Sequence, residues 1–114
     1  MMQFSSTHAN LNINETENAV TVRMTSQDLL DRLEIQELRI ALLEFAADCK
    51  NAHVILDFSE VRHFASEMLG TLVELKKALA GNSSQLEIHN INRDVYEVFR
   101  ITALDRELNA VVAD

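Results

Sequence analysis

The feature that most limits the fold is a short continuous apolar run, Val54–Leu56, that lies between two segments with helical periodicity. Such a run is typical of a central strand that is covered on both faces. Strands that alternate with helices favour parallel crossovers, because a parallel connection needs a helix-length segment. The sequence therefore predicts an α/β fold: a mixed central β-sheet with an N-terminal hairpin and three or four helices.

Hydrophobic periodicity assigns the other elements. It predicts a hairpin over 11–24, helices starting near Leu33, near Met68 and at Asn92 or Arg93, a strand over 86–88, and a strand or helix end over 108–112. Gly81 and Asn82 are placed to end the second helix. Gly70 lies inside that helix, where glycine costs roughly 1 kcal/mol relative to alanine. We therefore expect another backbone to pack closely at Gly70.

Composition and charge limit the number of domains and the classes of partner that this chain can have. The 114 residues suffice for one domain, 1–114, and 47% hydrophobic and 25% charged residues are ordinary for a globular chain. A formal net charge of −8 opposes nonspecific binding to nucleic acid or to an anionic membrane surface. Basic or mixed-charge protein partners fit better, and no cofactor motif is present. With no leader-like or membrane-spanning apolar segment, a cytoplasmic location is expected.

The cysteine and histidine content argues against a metal site. Cys49 is the only cysteine, so we expect a buried structural thiol and no internal disulfide. The four histidines, His8, His53, His63 and His89, are scattered with no two at ligand spacing. The sequence assigns no metal ligand.

Ser66 is the most informative polar residue, because it follows the central strand and a short loop at the predicted start of the second helix. A hydroxyl at that position lies beside free backbone N–H groups and the positive end of the helix dipole, so an attached phosphate would be held there. Serine is also a preferred N-cap residue, and the two roles can coexist. Ser66 is thus predicted as a phosphoacceptor, an N-cap or both.

The neighbours of Ser66 form a candidate contact surface. Arg62 and His63 in the preceding loop are expected to be exposed, and Phe64 to pack into the core. Glu67 is either simply solvated or part of the partner-facing rim, and exposure at the rim is expected. Met68 has two interpretations, an exposed docking residue of the first turn or a core residue.

Catalysis has little support in the sequence. A serine hydrolase would need Ser66 within reach of a base such as His63 and a carboxylate such as Asp57. No Gly-x-Ser-x-Gly elbow and no phosphate-cradling Gly-x-x-x-x-Gly-Lys loop is present. Asp57 is better explained as a loop anchor that accepts backbone N–H bonds. The chain is therefore predicted not to be an enzyme.

Together these residues resemble the STAS domain family, the fold of bacterial anti-sigma factor antagonists. The resemblance covers nearly the whole chain, and the segments that carry it are Val54–Val61, Ser66–Gly70, Leu72–Lys77 and, more weakly, Ile101–Asp105. In phosphorylatable members a serine lies at the start of the second helix, commonly just after an aspartate. Ser66 matches that serine by its distance from Leu69 and Gly70. Ala65 stands where the aspartate would be, which implies a poorer kinase substrate or a kinase with different requirements.

The resemblance implies a binding module. The unmodified protein would sequester an anti-sigma factor, often a serine kinase, and phosphorylation of the serine would abolish docking. The implied contact residues are Arg62, His63, Ala65, Ser66, Glu67 and Met68, with Ser66 as the phosphoacceptor. The alternative is a phosphorylation-independent STAS scaffold subunit of a signalling or transport assembly. Edge strands of the hairpin could also pair in a homodimer.

Overall fold

The computed structural model describes residues 11–113 and confirms the α/β prediction. Seven strands and three helices follow one another in this part of the chain: β1 (Leu11–Glu15), β2 (Val20–Met24), β3 (Asp28–Leu29), α1 (Arg32–Asp48), β4 (His53–Asp57), β5 (His63–Phe64), α2 (Glu67–Gly81), β6 (Gln85–Ile91), α3 (Arg93–Ile101) and β7 (Ala110–Val112). The C-terminal segment, left open between strand and helix end, is thus a strand.

The main sheet has five strands in the order β1-β2-β4-β6-β7. The hairpin pair β1 and β2 is antiparallel, whereas β2–β4, β4–β6 and β6–β7 are parallel. The sheet is therefore mixed, as predicted. Helices α1 and α2 provide the crossovers that carry the chain from β2 to β4 and from β4 to β6.

The hydrophobic core lies on one face of this sheet, beneath α1 and α2, which pack against each other. Burial alternates along the central strand β4, as expected for a sheet with its core on one face. Val54 and Leu56 are fully buried, whereas His53, Ile55 and Asp57 are half-buried. The same alternation holds in β6 from Gln85 to His89, and an irregularity before Ile91 then interrupts it. The second face of the sheet is therefore lined by polar and half-buried side chains.

Helix starts follow ordinary capping chemistry at two of the three helices. The Asp31 carboxylate accepts a hydrogen bond from the Leu33 N–H at 3.1 Å, which settles the start of α1. The Asn92 side chain accepts from the Val95 N–H at 2.8 Å and caps α3. Both cap residues have extended backbone conformations, as an N-cap requires.

The prediction of a close backbone contact at Gly70 is wrong. A methyl group placed on Gly70 would meet no atom within 4 Å outside the helix itself. The residue is exposed on the outer surface of α2. No packing reason for this glycine exists within residues 11–113.

Cys49 is a buried structural thiol, as expected. It ends α1, has no exposed surface, and its thiol is free. Burial, with smaller contributions from the negative charges of Asp48 and Glu15, raises the pKa of this thiol to about 11. The thiolate that nucleophilic chemistry needs is therefore scarce at neutral pH.

Candidate protein-docking site

Ser66 lies exposed between β5 and the first turn of α2. Its backbone is already helical, with φ −59° and ψ −21°, and its side chain makes no capping hydrogen bond. The N-cap prediction is therefore wrong. The physical reason is that the turn starts one residue earlier: the Met68 N–H donates to the Ala65 carbonyl at 2.9 Å, and the Leu69 N–H to the Ser66 carbonyl at 3.0 Å.

A second, two-stranded sheet fixes the segment that leads to Ser66. Strands β3 and β5 pair in parallel, a feature too short for periodicity to reveal. The Gln27 carbonyl accepts from the Arg62 N–H at 2.8 Å and the His63 N–H at 3.1 Å, and the Leu29 carbonyl accepts from the Ala65 N–H at 2.8 Å. The backbone is thus hydrogen-bonded up to the residue before Ser66.

Asn92 ties the same segment to α3. Its side-chain N–H₂ group donates to the Val61 carbonyl at 3.0 Å and the Arg62 carbonyl at 3.3 Å, while its oxygen caps the helix. The Asn92 side chain therefore fixes the loop at Val61 and Arg62 to the start of α3.

An aromatic cluster supports this segment from below. The rings of Phe64 and Phe99 stack with centroids 5.6 Å apart, and Phe58 meets both edge-on at 6.2 and 6.3 Å. Phe58 and Phe99 are fully buried, and Phe64 is half-buried against the core. The prediction that Phe64 packs into the core is confirmed, although part of the ring remains accessible.

The charged neighbours of Ser66 lie at the surface. The His63 ring and the Asp28 carboxylate are hydrogen-bonded at 2.7 Å, and Glu67 lies 3.8 Å from the Arg32 guanidinium in a loose ion pair. Arg62 is exposed and forms no ion pair within residues 11–113. Met68, by contrast, has no exposed surface. Direct contact of Met68 with a partner is therefore ruled out without rearrangement, because its side chain points into the core.

An apolar groove adjoins these residues. It encloses about 300 Å³ and is lined by Leu30, Phe64, Val95 and Val98, with Arg62, His63 and Asp94 at its rim. Leu30 is 57% exposed and contributes apolar surface to the groove. We call the surface formed by Leu30, Arg62, His63, Ala65, Ser66 and Glu67 the Ser66 surface.

The residues of a hydrolase triad are not brought together. The His63 ring pairs with Asp28, and the Asp57 carboxylate accepts from the Ser59 N–H at 2.9 Å and the Asn90 side chain at 3.1 Å. Burial alone would raise the pKa of Asp57, but these hydrogen bonds, from Asn90 first, outweigh it and lower the pKa. Asp57 is thus the ionised loop anchor that the sequence predicted.

The tertiary fold assembles a polar cluster that sequence spacing missed. His53 of β4 and His89 of β6 both contact the carboxylate of Glu87, the His89 contact at 2.8 Å. Hydrogen bonds from His89 and then His53 lower the Glu87 pKa. The parallel register, which sets His53 opposite Gln85 and Asp57 opposite His89, could have been used to find the cluster only once strand pairing was known.

The described part of the chain offers neither a metal-binding cluster nor a membrane-spanning helix. Residues 11–113 contain no group of three His, Cys, Asp or Glu side chains arranged to hold a metal ion, and His8 lies outside these residues. Among the helices of the same residues, none is long and apolar enough to cross a membrane.

Solved structures share this fold. A STAS domain protein from Planctomyces limnophilus, described as an anti-sigma-factor antagonist, superimposes with a TM-score of 0.78 at 14% identity over 93% of this chain and 92% of that one. The unphosphorylated anti-sigma factor antagonist SpoIIAA gives a TM-score of 0.72 at 17% identity over 91% and 88%. The murine solute carrier 26 family anion transporter gives 0.67 at 14% identity, over 89% of this chain but only 17% of the transporter.

At sequence identities this low, similarity to these solved structures establishes only the fold of the chain. The family is established by a sequence model described as "Mlab, STAS domain", which matches residues 11–113. That match covers the main sheet, all three helices and the Ser66 surface. The chain therefore belongs to the STAS domain family.

Proposed function

We propose that this STAS domain is an anti-sigma factor antagonist, a cytoplasmic protein-binding module without catalytic activity or cofactor. Its partner would be an anti-sigma factor that is also a serine kinase, and phosphorylation of Ser66 would release it. The observation that carries the proposal is an exposed serine on a rigidly held segment beside an apolar groove. SpoIIAA, solved in both unphosphorylated and phosphorylated forms, has the same fold.

Three features of the Ser66 surface and its groove would contribute to docking of the partner. The groove beside Leu30 and Phe64 would receive an apolar side chain of the partner, which supplies most of the affinity. Arg62 has no ion pair to break within residues 11–113, so it can meet a carboxylate of the partner. Because the backbone up to Ala65 is already hydrogen-bonded, little conformational entropy is lost on binding.

The phosphate switch follows from local electrostatics. A phosphoryl group adds about −1.5 to −2 charges at neutral pH. The N–H groups of Met68 and Leu69 already donate within the turn, so they are not available to hold it. The added charge would remain in the interface beside Glu67 and disrupt docking through desolvation and repulsion.

The test compares three variants of the full chain for binding to the purified anti-sigma factor kinases of the source cell by calorimetry. Ser66→Ala should bind like the unaltered protein, and Ser66→Asp should bind at least roughly tenfold more weakly. Ser83→Asp is the matched control, because Ser83 is also exposed but lies beyond the other end of α2. Equal binding by all variants would exclude the switch, and no binding to any such kinase would exclude the antagonist role.

A second candidate is a phosphorylation-independent scaffold subunit of a signalling or transport assembly. Ala65 in place of the usual aspartate favours it, as does the murine anion transporter, in which the same fold is a small part of a much longer chain. In that case the protein recovered from growing cells should carry no phosphate on Ser66 by intact-mass analysis. It should nevertheless lose its assembly partner when Leu30, at the groove, is changed to glutamate.

We also propose that the free protein can dimerise through β1, the outer strand of the main sheet. Light scattering coupled to size exclusion would detect the dimer. Replacing Ile13 in the middle of β1 by proline should abolish it, and a monomer at all concentrations would contradict it.

A further inference from the structure

Strand β6 has an edge that β7 covers only in part. The register of the two strands pairs Ile88 with Ala110 and Ile91 with Val112. The strand starts three residues before Ile88, at Gln85. The first half of β6 therefore has a neighbour on the β4 side only.

The direction of its backbone groups follows from the hydrogen bonds. The Gln85 N–H donates to the Ala52 carbonyl of the β4 side at 2.9 Å, so the Ser84 carbonyl in the same peptide points the opposite way. By the same alternation the Leu86 N–H points away from β4. The Leu86 carbonyl, on that outer side, is occupied by the Asn109 side chain at 3.0 Å.

The Leu86 N–H and the Ser84 carbonyl, by contrast, have no partner within residues 11–113. Leu86 is 3% exposed, and a buried N–H without a partner is uncommon and costs free energy. Donor and acceptor groups on alternate residues of one edge are the pattern that an added strand completes.

A cleft of about 870 Å³ lies against this edge. Leu86, Ala80 and Ala110 contribute its apolar lining, and Lys76 and Arg106 contribute positive charge. Neither cation forms an ion pair within residues 11–113.

The two carboxylates of the cleft already have partners. Asp105 accepts a hydrogen bond from the Tyr96 hydroxyl at 3.3 Å, and Glu87 is held by two histidine rings. Both carboxylates keep their negative charge, but their oxygens already accept hydrogen bonds, so among residues 11–113 Lys76 and Arg106 are the charged groups of the cleft whose N–H donors remain free for a ligand.

We propose that this cleft, which we call the β6 edge cleft, binds an acidic peptide segment of a partner protein in an extended conformation. The peptide would lie beside Ser84–Leu86 and in line with β7. One of its residues would accept from the Leu86 N–H and donate to the Ser84 carbonyl, as in a parallel ladder, which is also how β7 pairs with β6. Its acidic side chains would face Lys76 and Arg106.

Two synthetic probes test the backbone pairing by NMR titration of the full chain. The first is the capped peptide Glu-Val-Glu-Val-Glu; the second has the same sequence with every backbone nitrogen methylated, which keeps the charge but removes the donors. The first should shift the Leu86 and Ala110 amides saturably and slow hydrogen exchange at the Leu86 N–H. The methylated probe should bind at least roughly tenfold more weakly. Equal binding of both, or no saturable shift at millimolar peptide, would overturn the proposal.

Adjacent lysines of α2 offer a matched test of the charge. Lys76 lines the cleft, whereas Lys77 is exposed outside it and acts electrostatically on Glu74. Lys76→Glu should weaken binding of the unmethylated probe roughly tenfold, and Lys77→Glu should leave it nearly unchanged. Equal losses in both would indicate net-charge attraction and refute a site in the cleft.

Discussion

The Ser66 surface and the β6 edge cleft are built in opposite ways. At the Ser66 surface, β3 and Asn92 satisfy the backbone groups that lead up to Ala65, so this segment is held rigidly and offers mainly side chains to a partner. At the cleft, the backbone itself is offered, since the Leu86 N–H has no partner within residues 11–113. The comparison teaches that a rigid segment presents side-chain chemistry, whereas an incompletely paired strand presents hydrogen-bonding capacity.

The two sites also depend on different parts of the core. The Ser66 surface depends on the stacked Phe64 and Phe99 rings and on the cap of α3. The cleft depends on the sheet, on Tyr96 of α3 and on the turn that leads to β7. Substitutions outside α3 should therefore affect one site and spare the other, whereas those in α3 can reach both.

The largest effect is expected for Phe99→Ala, in the helix that contributes to both sites. Phe99 is fully buried and contacts both other rings of the cluster, so its truncation should lower the free energy of unfolding by about 3–5 kcal/mol. Urea denaturation measures the change, with Phe99→Leu expected to cost clearly less. A cost under about 1 kcal/mol for alanine would show that the cluster does not support the fold.

Asn92→Ala is expected to have the next largest effect. Loss of the cap should cost about 1–2 kcal/mol, and the Val61 and Arg62 carbonyls lose a donor as well. Amide exchange should accelerate at Ala65 but not at Ile88. Asn92→Asp is the control, because it keeps the capping oxygen and removes only the donor. Equal unfolding free energies for the two variants would assign the whole effect to the loop contacts.

Glu87→Gln tests how much the Glu87 carboxylate, in the lining of the β6 edge cleft, contributes to stability at different pH values. Because histidine contacts lower the Glu87 pKa below its ordinary value of 4.5, its stabilisation is present above that value and is lost as pH falls through the lower folded pKa. The variant should lose about 0.5–1 kcal/mol at pH 7, after allowance for partial exposure, and little at pH 3.

Urea midpoints at the two pH values measure this effect. Glu97→Gln is the control. Glu97 is exposed, and its pKa is lowered by the Arg100 guanidinium rather than by histidine contacts. A stability difference for Glu87→Gln that persists unchanged at pH 3 would rule out the carboxylate as its source.

The smallest effect, and one of opposite sign, is expected for Gly70→Ala. Nothing outside the helix lies near the added methyl group, so the substitution should stabilise the protein by about 0.5–1 kcal/mol. Gly81→Ala, at the last residue of α2, should stabilise less because helix ends fray. Thermal unfolding compares the two, and destabilisation by Gly70→Ala would restore the close-packing interpretation.

The sequence anticipated those features that repeat along the chain. The alternation in 20–24 and the three- and four-residue spacing after Leu33 and Met68 each report local geometry, so the hairpin, helices and parallel crossovers were predicted correctly. The pair β3 and β5 was missed because two residues cannot establish a period. The role of Asp57 as a loop anchor was predicted because that contact is local, reaching Ser59 two residues on.

The prediction of a Ser66 N-cap failed on one local detail. Serine preference for caps is a statistical property of helix starts, but the backbone here is already helical at Ser66 because a hydrogen-bonded turn from Ala65 to Met68 encloses it. The interpretation of Gly70 failed similarly, since a glycine in a helix can equally mark an open surface. Neither error could be corrected without the positions of neighbouring elements.

The sequence by itself thus determined the types of the longer elements, the family and the position of Ser66 at a helix start, because these depend on contacts between near neighbours along the chain. Only the tertiary structure decided which residues share a surface. It placed Leu30 beside Phe64 and Val98, joined His53 and His89 at Glu87, and left the Leu86 N–H facing a cleft. These juxtapositions depend on strand register and helix docking, which follow from burial of the whole core rather than from any local pattern.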